Sequence, residues 1–216
     1  MLKYTMLAIC MAITILACAQ NNKKNNKVPG DMEISKDTKT AVAVFGTGCF
    51  WCTEAQFQLL NGVLKAESGY SGGTVVNPTY EEVCNGTTGH AEVIRVTYDP
   101  TVISYDELLA AFFQAHDPTQ LNRQGNDVGT QYRSVIFYGN EDEKKKAEYY
   151  KQKLQEADAY DNPIVTEISP LKNFYKAENY HQDYYNLNGS QPYCSFVIRP
   201  KLEKFKKVFK DKLKQQ

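Results

Sequence analysis

Ala41-Val42-Ala43-Val44-Phe45-Gly46-Thr47-Gly48-Cys49-Phe50-Trp51-Cys52 sets the architecture, because an apolar run turns here through two glycines into a helical segment. Residues 41–45 read as a buried strand, and 49–60 as a helix stopped by Asn61-Gly62. Working outward, residues 63–70 form a second strand closed by Gly72-Gly73, and after a long loop 91–98 form a third, ended by Asp99-Pro100. Ser104-Tyr105-Asp106-Glu107 is a capping box opening a helix through Phe113. Residues 131–138 give a fourth strand, Asn140 caps a charged helix over 141–156, and 164–168 add a short strand. Leu202, Phe205, Val208, Phe209 and Leu213 recur at helical spacing, which predicts an amphipathic C-terminal helix. The order β, α, β, β, α, β predicts an α+β fold: a two-layer α/β sandwich with a ferredoxin-like βαββαβ core, a mixed sheet and a C-terminal extension.

The chain has 216 residues, 42% of them hydrophobic and 23% charged, which is the composition of a globular domain. Twenty-five basic residues balance 25 acidic ones, so no field exists to gather nucleic acid, and a compact, charge-balanced domain is expected to be a monomer. The basic cluster from Lys201 to Lys214 reads as a solvated helix face. At the N-terminus Lys3 precedes an apolar run ending in Ile15-Leu16-Ala17-Cys18-Ala19, a signal peptide in shape. Ile15-Leu16-Ala17-Cys18 resembles a bacterial lipobox, with Cys18 lipidated as a membrane tether; Ala17-Cys18-Ala19 also fits plain secretion. Residues 1–19 are thus expected to be a signal peptide, 20–40 a polar linker and 41–216 the domain. The domain is placed in the cell envelope, lipid-anchored or periplasmic.

Four cysteines fall in the domain: Cys49, Cys52, Cys84 and Cys194. They are too few to substitute for a core, so they are read as chemical rather than structural, with Cys84 the exception as a packing cysteine. Cys49 follows a strand and a glycine turn at the start of a helix, where unpaired N–H groups and the helix dipole favour an anion. That placement predicts a stabilised thiolate, the nucleophilic form of cysteine. Phe50 and Trp51 beside it are placed to wall an apolar pocket.

Gly48-Cys49-Phe50-Trp51 with Glu54 resembles the signature of the A-type peptide methionine sulfoxide reductases. The resemblance continues through Gly69-Tyr70-Ser71-Gly72-Gly73, Asn77-Pro78-Thr79-Tyr80, Thr88-Gly89-His90-Ala91-Glu92, His116-Asp117-Pro118-Thr119 and residues 123–134, and it covers 43–200. It implies that Cys49 attacks the sulfur of methionine sulfoxide, free or in oxidised proteins, and becomes a sulfenic acid. By the same resemblance Glu92 is a neutral acid that protonates the departing oxygen. Tyr80 and Tyr132 hydrogen-bond that oxygen, and Asp127 holds the substrate from its backbone side. No cofactor and no metal are implied. Recycling requires a second thiol and then a thioredoxin-like reductant. Cys194 matches the family's resolving cysteine on a mobile tail, although Ser195-Phe196-Val197-Ile198 lacks the usual glycines and predicts a stiffer one. Cys52 completes a CxxC that can also close, and a relay through both remains open.

Three other chemistries compete for the same residues. Cys49 and Cys52 alone fit a thioredoxin-like disulfide oxidoreductase. Cys49, Cys52 and Cys84 with His90, His116 or His181 fit a zinc module, although only one paired ligand motif is present. Cys49 with His90 or His116 as base fits a cysteine hydrolase.

Overall fold

The computed structural model describes residues 39–215. The expected signal peptide, Cys18 and almost all of the linker lie outside the described residues. Elements follow in the order β1 (Ala41–Thr47), α1 (Phe50–Phe57), β2 (Val63–Ser71), α2 (Tyr80–Cys84), β3 (Ala91–Tyr98) and α3 (Tyr105–Ala115). A two-residue hairpin, β4 (Arg123–Gln124) and β5 (Asp127–Val128), leads through a 3-10 turn at Thr130–Tyr132 into β6 (Ser134–Tyr138). Then come α4 (Glu141–Glu156), β7 (Glu167–Pro170), β8 (Tyr175–Lys176), α5 (Tyr184–Asn188), a π-helical turn at Cys194–Ile198, and α6 (Arg199–Val208).

The main sheet has the order β7-β6-β1-β3-β2-β8. β7 runs parallel to β6 and every other pairing is antiparallel, so the sheet is mixed. Its four central strands, β6-β1-β3-β2, carry the ferredoxin-like core read from the sequence. On one face Phe45, Ile94, Val96 and Ile136 pack against Phe57, Leu108 and Phe112 of α1 and α3. The Phe45 ring lies 5.4 Å from Phe112 and 5.7 Å from Phe57, and this aromatic cluster ties both helices to β1. The other face, built from Val44, Ala91, Val93, Val135 and Phe137, is covered by Leu171 and Phe174 from an irregular segment. A Cβ at Gly69 would stand 2.5 Å from the Phe174 ring, so β2 needs glycine where that segment crosses.

Strand alternation decides where Glu92 points. It shares the helix-covered face of β3 with Ile94 and Val96 and pairs with Tyr70 across β2, so it emerges beneath the start of α1.

Several boundaries differ from the sequence reading. α1 ends at Phe57 rather than 60. β6 starts at Ser134, because residues 130–132 coil into the 3-10 turn after Gly129. β7 is 167–170 rather than 164–168: Ile164 is buried, but its N–H goes to the Gln155 side chain, and pairing with β6 begins only at Glu167. α6 stops at Val208, which is 51% exposed, so Leu202 and Phe205 alone carry its buried stripe. Among the described residues no helix is long and apolar enough to cross a membrane.

Candidate active site

Gly48 takes φ +98°, a conformation that glycine tolerates and that turns the chain from β1 into α1. Cys49 is therefore the N-cap residue of α1, one position before the helix proper. Its carbonyl accepts from Cys52 N at 3.1 Å and Thr53 N at 3.3 Å, but its side chain makes no capping bond. The first free N–H of the helix, that of Phe50, donates instead to Glu92 Oε2 at 3.0 Å.

This arrangement overturns one expectation. Cys49 is 6% exposed, and burial, reinforced by the neighbouring Cys52, pushes its thiol well above the ordinary value. Helix position alone suggested the opposite; the Cys52 N–H and Tyr193 do favour the thiolate, but burial outweighs them. The lowered thiol is Cys52, on which the neighbouring Cys49 acts and which has Lys201 Nζ 3.8 Å from its sulfur. Cys194 is fully buried in the same cluster as Cys49 and Cys52, with Ala55, Ile198 and Leu202, and burial raises its thiol too. It stands on the π-helical turn that runs directly into α6, so its backbone is helical, as the missing glycines suggested. All four domain cysteines are free thiols.

Glu92 is 2% exposed, and burial drives its carboxyl well above the usual carboxylate range, with the nearby Cys49 adding to the shift. A neutral carboxyl can accept the Phe50 N–H on one oxygen and keep an O–H to donate from the other. Tyr80 opens α2, a five-residue helix held by a Thr79/Glu82 capping box. Its N–H donates to Glu178 Oε1 at 2.9 Å, and Glu178 Oε2 in turn accepts from Tyr70 at 2.8 Å. Burial raises both Tyr80 and Tyr132, and Glu92 acts on both, which puts the two phenols around that carboxyl. The Tyr80 hydroxyl is bonded to Cys84. Cys84 is thus half-exposed at the rim of the site, and the packing role read for it is corrected.

Phe50 and Trp51 form an aromatic wall. The Phe50 ring stacks toward Tyr80 at 6.4 Å and Trp51 lies flat on Tyr184 at 3.7 Å. His181, buried between them, accepts from Trp51 Nε1 on Nδ1 at 3.1 Å. Asp127 reaches the site on β5, whose hairpin is fixed by Gln124 bonding both Asp117 N and Asp117 O. Its Oδ2 accepts from the Tyr193 hydroxyl at 2.8 Å, and Cys49 acts on that hydroxyl from close by. Tyr193, Glu178 and Lys201 escaped the sequence reading as site residues, and His181 was weighed there only as a zinc ligand; the Thr79-x-x-Glu82 capping pattern alone could have revealed α2.

The hydrolase and zinc readings lack geometry. His90 spends both ring nitrogens on the loop backbone at Gly73 and Val75, and His116 on Phe112 O and Ser134 Oγ. Neither is bonded to Cys49. Among the described residues no three His, Cys, Asp or Glu side chains converge as metal ligands.

Glu54, on the buried side of α1, accepts from Ser68 Oγ at 3.0 Å and Asp183 N at 3.1 Å on one oxygen, and burial lifts its carboxyl to about 7. A carboxyl that holds its proton more tightly when folded contributes stability below its ordinary value of 4.5 and loses it as pH rises through 7. Glu54→Gln keeps an oxygen for both donors and cannot ionise. Its Tm should therefore exceed the parent's at pH 8 by more than at pH 5; an equal difference at both pH values would exclude titration at this position.

The sequence model of the family described as "Peptide methionine sulfoxide reductase" matches residues 41–213. The chain is 54% identical over 173 residues to peptide methionine sulfoxide reductase MsrA of Saccharolobus solfataricus, covering 80% of this chain and 97% of that protein. Among solved structures, it is similar to Mxr1 from Saccharomyces cerevisiae in reduced form, with TM-score 0.68, 38% identity, and 73% of this chain and 91% of the other covered. It also resembles Mxr1 in complex with Trx2, with TM-score 0.50, 30% identity, and 70% and 89% covered.

Proposed function

The chain belongs to the peptide methionine sulfoxide reductase family, and on that premise we propose that Cys49 reduces the S epimer of methionine sulfoxide, free or in proteins, inside the aromatic wall described above. The substrate methyl group lies against Phe50 and Trp51, its oxygen faces Glu92, Tyr80 and Tyr132, and Asp127 takes the backbone side. Cys49 sulfur bonds to the substrate sulfur while Glu92 delivers a proton to the oxygen and takes up the Cys49 thiol proton in return. The oxygen then passes to Cys49, leaving methionine and a Cys49 sulfenic acid; substrate sulfur gains the two electrons that Cys49 loses. The observation that carries this reading is the buried, raised carboxyl of Glu92, fixed by Phe50 N at 3.0 Å beside Cys49. The phenols favour the same oxygen, since aimed donors stabilise the charge that develops there.

Cys52 is the first resolving thiol, a choice supported by its place one helical turn from Cys49 in the same buried cluster and by its lowered thiol. It attacks the sulfenic acid to give a Cys49–Cys52 disulfide, and Cys194, in the same cluster, can take that disulfide over by exchange. The complex of Mxr1 with Trx2 supports a thioredoxin-type dithiol as the final reductant. The apolar run and Cys18 support export, with lipidation of Cys18 as the tether; the intact mass of the envelope protein tests this, because lipidation adds acyl chains and plain secretion adds none.

Purified protein with dithiothreitol should consume the S epimer of N-acetylmethionine sulfoxide and leave the R epimer. Consumption of neither epimer, or of R alone, refutes the reading.

A further inference from the structure

The C-terminal lysine run is not uniformly a solvated face. Lys201 sits in the first turn of α6, immediately after the π-helical turn that holds Cys194. Leu202 next to it is 3% exposed and packs in the cluster of Cys49, Cys52 and Cys194, which fixes the rotation of this turn. The Lys201 ammonium consequently lies on the CxxC, 3.8 Å from Cys52 Sγ.

We propose that Lys201 is a positioning residue for recycling: its ammonium, held against Cys52, keeps that sulfur as the thiolate that condenses with the Cys49 sulfenic acid. The inference rests on Cys52 being the first resolving thiol. In the step, Cys52 attacks Cys49; an S–S bond forms and the Cys49 S–O bond breaks. Cys52 is oxidised and Cys49 reduced, and the oxygen leaves as water with the proton that Cys52 gave up on ionising.

The groups facing Cys52 are Cys49 from the same helix, Tyr193 and Lys201 from the C-terminal segment, and Asp127 from β5. Burial and Asp127 oppose a thiolate there, whereas the Cys49 thiol, Lys201 and Tyr193 favour it. The Cys49 S–H is consumed by the first half of the reaction. When the Cys52 thiolate is needed, Lys201 is thus the remaining cation among these groups, and a cation beside a buried thiolate is an effective means of keeping it ionised.

The test is single turnover of the full, pre-reduced chain with excess methionine sulfoxide peptide and no reductant. Quenched samples report methionine, and alkylation with mass spectrometry reports the disulfide. Trp51, the single tryptophan, lies between the two cysteines in sequence and gives a continuous fluorescence signal. If losing the charge raises Cys52 by about one unit, the thiolate fraction falls roughly tenfold and its nucleophilicity rises roughly threefold, for a net slowing of about threefold below the inflection. Lys201→Met should close the disulfide about threefold more slowly at neutral pH, with the inflection moved to higher pH, and should match or overtake the parent above it. Lys201→Arg should restore the parent's inflection. An unchanged rate and inflection in Lys201→Met overturns the proposal. So does slowing that is uniform across pH, or that Lys201→Arg does not relieve, since packing alone would produce it. A separate outcome tests the premise: disulfide formation at the parent's rate in Cys52→Ser would pass the resolving role to Cys194, whatever Lys201 does.

Discussion

Glu92→Gln is expected to slow methionine formation by about 10²–10⁴-fold at neutral pH, the range for loss of a positioned general acid. Glutamine matches the size of the side chain and can still accept the Phe50 N–H that holds Glu92 at 3.0 Å, so α1 keeps its start and Cys49 its place. It can offer a hydrogen bond to the sulfoxide oxygen but cannot surrender a proton. The pH dependence separates these roles. Because burial raises Glu92, the parent has the acid form available at neutral pH and loses it as pH climbs through the raised value. The alkaline fall in single-turnover rate that belongs to Glu92 should vanish in the variant. Stability should move the other way: a carboxyl raised on folding contributes fully below its unfolded value and loses that contribution as pH rises, so Glu92→Gln should gain on the parent in urea midpoint between pH 5 and pH 8. A variant within tenfold of the parent, with the alkaline limb intact, would remove Glu92 from the proton path.

The fold was legible because its signals are local. The Ser104-x-x-Glu107 box, the glycines after β1 and β2, and the apolar alternation of β1 and β3 each specify one element. Those elements occur in an order that few packed arrangements accommodate. The same local logic misled at Cys49. It stands at a helix start as the spacing implies, and the Cys52 N–H does favour its thiolate, but the burial that comes with packing raises the thiol by more. Elements of two residues, such as the hairpin that delivers Asp127, are too short to carry a period. β7 starts later than its apolar pattern implies because Ile164 is buried like a strand residue, yet its N–H goes to Gln155 of α4 and that of Val165 to Pro118 O. Tyr193, His181 and Lys201 reach the site from 130 to 149 residues beyond α1, through contacts that only the packed chain defines. The resemblance supplied Glu92, Tyr80, Tyr132 and Asp127, and its motifs also carry Phe50, Thr79, Asp117 and Gln124, whose bonds hold them in place.

Cys49→Ser should form no methionine at all, taking the single-turnover yield from one per chain to none, even though it leaves the thiol with the lower pKa untouched. Acidity alone would favour Cys52 as nucleophile, since Cys49 is raised by burial and Cys52 lowered. Geometry argues the other way. Cys52 lies in the first turn of α1 with its sulfur toward Lys201 and the cluster of Cys194 and Leu202. Cys49 is the thiol that acts on Glu92, the carboxyl able to release a proton to the leaving oxygen. A sulfoxide attacked from Cys52 would have its oxygen away from that donor, and an unprotonated oxygen is the poorer leaving group. Serine at 49 nearly preserves volume, but its oxygen cannot accept a second oxygen as a sulfenic acid does. After exposure to substrate, Cys52 and Cys194 in Cys49→Ser should alkylate fully as thiols, whereas Cys52→Ser should still release one methionine per chain. One methionine per chain from Cys49→Ser would transfer the attack to Cys52 and leave the Glu92 carboxyl without a reaction to serve.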